Sequence, residues 1–174
     1  MFYRKLLRLH TAVWILSAII IVMGAHTSVK AQQLPPRPIS VFVNPAQPLS
    51  FGAFYQGPLG GSVIIYPNGS RSVTGDVVQA NLGYSFSPAL FEVEALPGTL
   101  VTILDGPDVI LTGSNGGSMT LQLGSSSPLS PFVVPTTPPS RTVVTIGGTL
   151  LVSTIQNNPP GSYIGTFNVT FIEQ

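Results

Sequence analysis

Ser62-Val63-Ile64-Ile65-Tyr66-Pro67-Asn68-Gly69-Ser70-Arg71-Ser72-Val73-Thr74 is the stretch that decides the fold. Two β-prone runs flank Asn68-Gly69. Asn-Gly in that setting is a strong hairpin signal, because both central residues of a type I′ turn need positive φ. The sequence predicts antiparallel strands over 62–66 and 70–74, turning on Asn68-Gly69. Pro67 has no N–H to offer a ladder, which marks its end of the strand as an edge or an unpaired position.

The same grammar continues downstream. Ala89 to Ala95 alternates Phe91, Val93 and Ala95 with Leu90, Glu92 and Glu94, as in a half-buried strand. Pro97-Gly98 turns into a strand over 100–104, and Asp105 to Asp108 turns into Val109-Ile110-Leu111. After a loop at 113–118, Met119, Leu121 and Leu123 alternate with polar residues. Residues 125–140 carry Pro128, Pro131, Pro135, Pro138 and Pro139. Proline at that density blocks central pairing, so this is read as a surface crossover pinned by Phe132 and Val133. Residues 142–146 and 149–152 read as a hairpin on Gly147-Gly148, and 157–161 as a turn. In the last strand, 165–172, Phe167, Val169 and Phe171 share one face.

Upstream, Leu49 to Phe54 is a further strand, and Ile39 to Val43 is a short one behind the prolines at 35, 36 and 38. No stretch beyond residue 31 sustains helical spacing. About nine short strands at intervals of roughly 8–12 residues indicate an all-β fold, an immunoglobulin-like antiparallel β-sandwich. Its expected core is Phe91, Val93, Met119, Leu121, Val144, Ile146, Leu150, Val152, Phe167, Val169 and Phe171. Pro160 to Tyr163 resembles a tyrosine corner, in which the hydroxyl reaches back to upstream backbone. The other reading of Tyr163 is a half-buried ring without that bond.

The N-terminus reads differently. Arg4, Lys5 and Arg8 precede an apolar run over 11–25, and Val29-Lys30-Ala31 suits a cleavage site before Gln32. That is the pattern of a secretory signal peptide, and the run is shorter than the roughly 20 residues of a spanning helix. The competing reading is an uncleaved inner-membrane anchor. The expected organisation is a signal helix over 1–31, a Pro-rich lead-in with a short strand over 32–48, and a β-sandwich domain over 49–174. The short strand pairs with its own domain by default, donation to a neighbour's open edge being the other option.

Loss of 31 of the 174 residues leaves 143, enough for one core without staples. That remainder has no His, Cys, Lys or Trp. Its charges are Arg37, Arg71 and Arg141 against Asp76, Glu92, Glu94, Asp105, Asp108 and Glu173, a net of −3. Three arginines cannot neutralise a row of phosphates, so nucleic acid is excluded as a partner. A Ser or Thr nucleophile would lack its usual base, and zinc or copper would lack ligands.

Carboxylates are left. Glu92 and Glu94 stand about 7 Å apart on one strand face, a separation that suits an inverting glycosidase pair. The plainer reading is two solvated strand residues. Asp105 and Asp108, with Asp76, are oxygen ligands of the type calcium takes; the plainer reading is a turn that favours Asp. Residues 113–118 resemble an anion nest, but no helix follows. Asn68-Gly69-Ser70 and Asn168-Val169-Thr170 fit the glycosylation triplet, and turn and strand geometry account for both. No catalytic, cofactor-binding or metal residue is assigned, and no cofactor is expected.

Four stretches carry a family resemblance. They are Leu49-Ser50-Phe51-Gly52-Ala53-Phe54, Gly61 to Arg71 in the form Gly-x-Val-x-Ile-x-Pro-x-Gly-x-Arg, Val144 to Leu150 with Gly-Gly-Thr-Leu, and Pro160 to Thr170. Together they resemble the bacterial domain-of-unknown-function 4402 family over about 48–172. The resemblance implies an exported immunoglobulin-like sandwich. Its last motif is similar to the C-terminal strand of fimbrial and spore-coat-type subunits. The expected function is a non-catalytic structural or adhesive surface protein of fimbria-like kind, in the periplasm, at the cell surface or outside the cell. Its partners would be copies of itself or other surface subunits, with no membrane span after cleavage. The alternative is a monomeric exported module that binds glycan or protein.

Overall fold

A computed structural model describes residues 38–174. The signal reading of 1–31 and the first part of the lead-in lie outside the described residues.

Among the described residues thirteen strands run in order: β1 (Ser40–Val43), β2 (Ser50–Phe51), β3 (Phe54–Ile65), β4 (Arg71–Gln79), β5 (Phe86–Ser87), β6 (Ala89–Glu94), β7 (Leu100–Asp105), β8 (Val109–Gly113), β9 (Ser118–Ser127), β10 (Phe132–Val133), β11 (Thr142–Val152), β12 (Tyr163–Ile164) and β13 (Val169–Glu173). The described fold is all-β, a sandwich of antiparallel sheets. An eight-stranded sheet follows the order β1-β6-β11-β9-β8-β12, with β3 also on β11 and β4 on β3. Three strands, β10-β7-β13, form a second sheet, and β2-β5 a two-stranded flap.

Strand β11 organises the core. Along one edge it pairs with β6 from Thr142 to Ile146 and with β3 from Gly148 to Val152. Along the other it pairs with β9 from Thr145 to Leu151, with a register shift between Ile146 and Gly148. The expected hairpin on Gly147-Gly148 is therefore a correction: the two glycines lie inside one eleven-residue strand. Neither takes the positive φ that a Gly-Gly turn requires. They are small because backbone crowds them. A Cβ on Gly147 would meet the Ile65 carbonyl oxygen at 2.3 Å.

The core has two parts that meet at this dipeptide. In the first, Phe91, Val93, Val144 and Ile146 of the large sheet face Val101 and Phe132 of the small one, with Val134 beside them. Phe171 of β13 packs on Phe91 with centroids 5.5 Å apart. In the second, Val63, Ile65, Val77, Leu111, Met119, Leu121, Leu150 and Val152 line the large sheet where it curls, and Phe51 covers them. Phe167 packs against both parts. Of the eleven expected core residues, Phe167, Val169 and Phe171 are half-buried and the other eight are buried.

Two more corrections concern local geometry. The hairpin at 66–70 is not type I′. Gly69 alone has positive φ, at 83°, and its N–H donates to the Tyr66 carbonyl at 2.9 Å. Pro67 decides this, since its ring holds φ near −65° and suits the first central position of a type I turn. Gly69 then supplies the left-handed residue of a three-residue loop. The final strand is also broken. β12 pairs with β8 in the large sheet and β13 with β7 in the small one. The chain crosses between sheets over 165–168, and the Tyr163 hydroxyl donates to the Pro159 carbonyl at 2.7 Å, as in a tyrosine corner.

β1 lies on its own chain's β6, from Ser40 opposite Glu94 to Val43 opposite Phe91. Among the described residues no helix is long and apolar enough to cross a membrane.

Candidate functional site

Above the curled part of the core the sheet does not close. A cleft of about 800 Å³ opens over Leu111, Met119 and Leu150. Its two walls are built by different means.

One wall is the flap. β2 pairs with β5 through Ser50–Ser87 and Phe51–Phe86. The Ser50 hydroxyl donates to the Ser85 carbonyl at 2.8 Å. Arg71 holds the flap down: its Nη1 donates to the Phe51 carbonyl at 2.9 Å and to the Ala53 carbonyl at 3.2 Å. Its guanidinium lies 4.5 Å from the centroid of Phe86, a cation–π contact. Gly52, at φ 65°, makes room for this, since a Cβ there would stand 2.8 Å from Nη1. Two stretches that are distant in sequence, Phe51-Gly52-Ala53 and Arg71, thus form one clamp.

The other wall is the segment after β11. Asn158 is almost fully buried, at 1% exposure. Its side chain bonds the Ser153 N–H and the Ser118 carbonyl, and its own carbonyl accepts from Gln56 Nε2 at 2.9 Å. It ties together the beginnings of β3 and β9 and the chain just past β11. Asn115 Nδ2 donates to the Pro160 carbonyl at 2.7 Å, and the Ser162 N–H to Ser114 Oγ at 3.1 Å. Ser114 and Asn115 of the 113–118 loop therefore support this wall. Burial pushes the Tyr163 phenol above its ordinary pKa, in keeping with its role as a structural donor.

The lining includes Phe54, Tyr55, Leu82, Tyr84, Ile155 and Tyr163, with Ser50, Gln56, Ser85 and Ser162 among them. Among the described residues no charged side chain belongs to it. The carboxylates singled out from the sequence lie elsewhere. Arg141 sits between Glu92 and Glu94, at 2.9 and 3.6 Å, and its guanidinium lies 3.5 Å from the Phe42 ring centroid. That arrangement fastens β1 to β6. Asp76 accepts the Leu59 N–H at 3.1 Å, and Asp108 accepts from Gln122 at 2.8 Å. Asp105 ends β7, and desolvation raises its pKa. No group of three or more His, Cys, Asp or Glu that could hold a metal ion occurs among the described residues.

Sequence reading missed Tyr55, Tyr84, Ile155 and Asn158, since none stands in a motif with chemical meaning. One signal was available. Of the five tyrosines, Tyr3 lies outside the described residues, and three of the other four line the cleft.

A family model described as domain of unknown function (DUF4402) matches residues 41–172. No match was found among curated proteins or among solved structures.

Proposed function

The chain belongs to the DUF4402 family, and from that premise we propose that it is an exported, non-catalytic protein of the cell surface, a structural or adhesive subunit of fimbria-like kind. The observation that carries this reading is the free edge of β13. That strand pairs with β7 on one side and, among the described residues, ends the small sheet on the other. Within β13 the only charge is that of Glu173, its last residue. Sheets ordinarily protect such an edge with charges, Pro or bulges. An edge guarded by a single charge at its end suits strand addition by a neighbour. At a separate edge, in the large sheet, β1 exposes Val41, Phe42 and Val43. Contact between two different edges would be head-to-tail and would build a non-closing chain of copies.

Export rests on the signal pattern over 1–31, with cleavage before Gln32. The absence of catalysis rests on residues 32–174, which carry no imidazole, thiol or amine side chain. The test uses the full chain, recovered as the cell processes it. Its intact mass should lack residues 1–31. Sedimentation should show assemblies that grow with concentration. Thr170→Lys, at an exposed position of β13, should disperse them while leaving the fold intact. A monomer at every concentration, or assemblies indifferent to Thr170→Lys, would contradict the reading.

The cleft favours a second reading, a monomeric exported binding module. A sharp monomer peak together with saturable ligand binding would select it.

A further inference from the structure

We propose that the cleft is a binding site for an uncharged carbohydrate, with the rings of Tyr55 and Tyr84 as its stacking platforms. The proposal rests on the adhesive or modular binding reading above and does not require self-association.

Three observations point to this chemistry. The first is where the aromatic residues stand. Tyr84 is 72% exposed and Tyr55 59% exposed at the mouth of the cleft. Exposed rings of that size present a large apolar area to a ligand. Their hydroxyls take no hydrogen-bond partner among the described residues, whereas Tyr163 is tied to Pro159. Each offers a flat apolar face and a free polar tip.

The second is charge. Residues 32–174 carry nine charged side chains, and none of the described ones lines the cleft. An anionic ligand would find no cation there, and a cationic one no carboxylate. A ligand that fits must be neutral.

The third is the mixture of surfaces. Apolar rings alternate with the small hydroxyls of Ser50, Ser85 and Ser162 and the amide of Gln56. Gln56 uses its Nε2 on the Asn158 carbonyl, which fixes the amide and leaves Oε1 as an acceptor. A purely apolar ligand would strip water from these polar groups without replacing the lost hydrogen bonds. A neutral sugar ring has an apolar C–H face for the tyrosines and hydroxyls for the serines and Gln56. About 800 Å³ is within the range of small-molecule sites.

The test is calorimetric titration of the full chain, as processed by the cell, with cellohexaose, mannohexaose, maltohexaose and chitohexaose. Heparin and polygalacturonate oligosaccharides serve as charged probes. Tyrosine emission gives a second readout, because the only tryptophan is Trp14 in the signal segment. At least one neutral hexasaccharide should bind saturably and change that emission. Tyr84→Ala and Tyr55→Ala should each weaken binding at least tenfold while melting like the parent chain. Val133→Ser, at the exposed position of β10 in the other sheet, should leave binding unchanged. Binding of none of the neutral probes, preference for the charged ones, or full affinity in both alanine variants would overturn the proposal. A chain that assembles yet binds no neutral sugar would refute this site and leave the subunit reading standing. A strict monomer that binds sugar through both tyrosines would do the reverse.

Discussion

The two halves of β11 lie in one strand and bear different kinds of core. Thr142 to Ile146 lies under a second sheet, and Val144 and Ile146 are fully buried there. Gly148 to Val152 lies where the large sheet curls, and its cover is a two-stranded flap. The first half is closed by packing of side chains from two layers, the usual way a sandwich is stabilised. The second is closed by one arginine on two carbonyls, and beside it the cleft remains. The difference shows how one chain combines a rigid scaffold with an accessible surface. Gly147 is the point of change, where β11 exchanges β6 for β3 as its neighbour.

Truncations on either side of that point probe the contrast. Ile146→Ala should cost about 3–4 kcal/mol, because the closed core has no room to relax around the lost atoms. Leu111→Ala, beneath the cleft, should cost about 2 kcal/mol, since water from the cleft can fill part of the space. Denaturant melts measure both, and equal or reversed costs would remove the distinction. Arg71→Ala comes next, at about 1–2 kcal/mol, because the Phe51 and Ala53 carbonyls lose their donor. Proteolysis should then cut first within 80–86. Cutting at β6 or β7 instead would show that the flap does not depend on this clamp.

The smallest effect lies in the closed half. Desolvation raises the Asp105 pKa above its ordinary value. A carboxyl with a raised folded pKa favours the native state while protonated and loses that benefit as pH rises through the folded pKa. Asp105→Asn should therefore gain a few tenths of a kcal/mol at pH 7 and nothing at pH 3, the gain being small because the side chain is largely exposed. Equal gains at both pH values would assign the effect to something other than ionisation.

The closed half was the more legible in sequence. Phe91, Val93, Val144 and Ile146 alternate with polar or exposed partners, and period-two alternation reports directly on a sheet with one buried face. Glycine misled where its role was crowding. Gly-Gly at 147–148 has the same composition as a turn, and only the approach of the Ile65 carbonyl separates the two cases. The break between β12 and β13 was hidden because alternation continues through Phe167 while the chain changes sheets. The cleft was illegible for a different reason. Its walls come from 50–56, 82–85 and 155–163, segments with no shared period, and topology alone brings them together. The tyrosine count was the one trace they left.

Native-state hydrogen exchange tests the division into a closed and an open half most directly, because it reads the opening free energy amide by amide. Amides of β6, β7 and 142–146 that are bonded in the sheets should exchange only through global unfolding. Those of 50–56 and 84–87 should exchange through local opening, at least a hundredfold faster, and should slow when a neutral hexasaccharide saturates the cleft. Uniform protection across both sets, with no slowing on addition of sugar, would contradict the division and the function assigned to it.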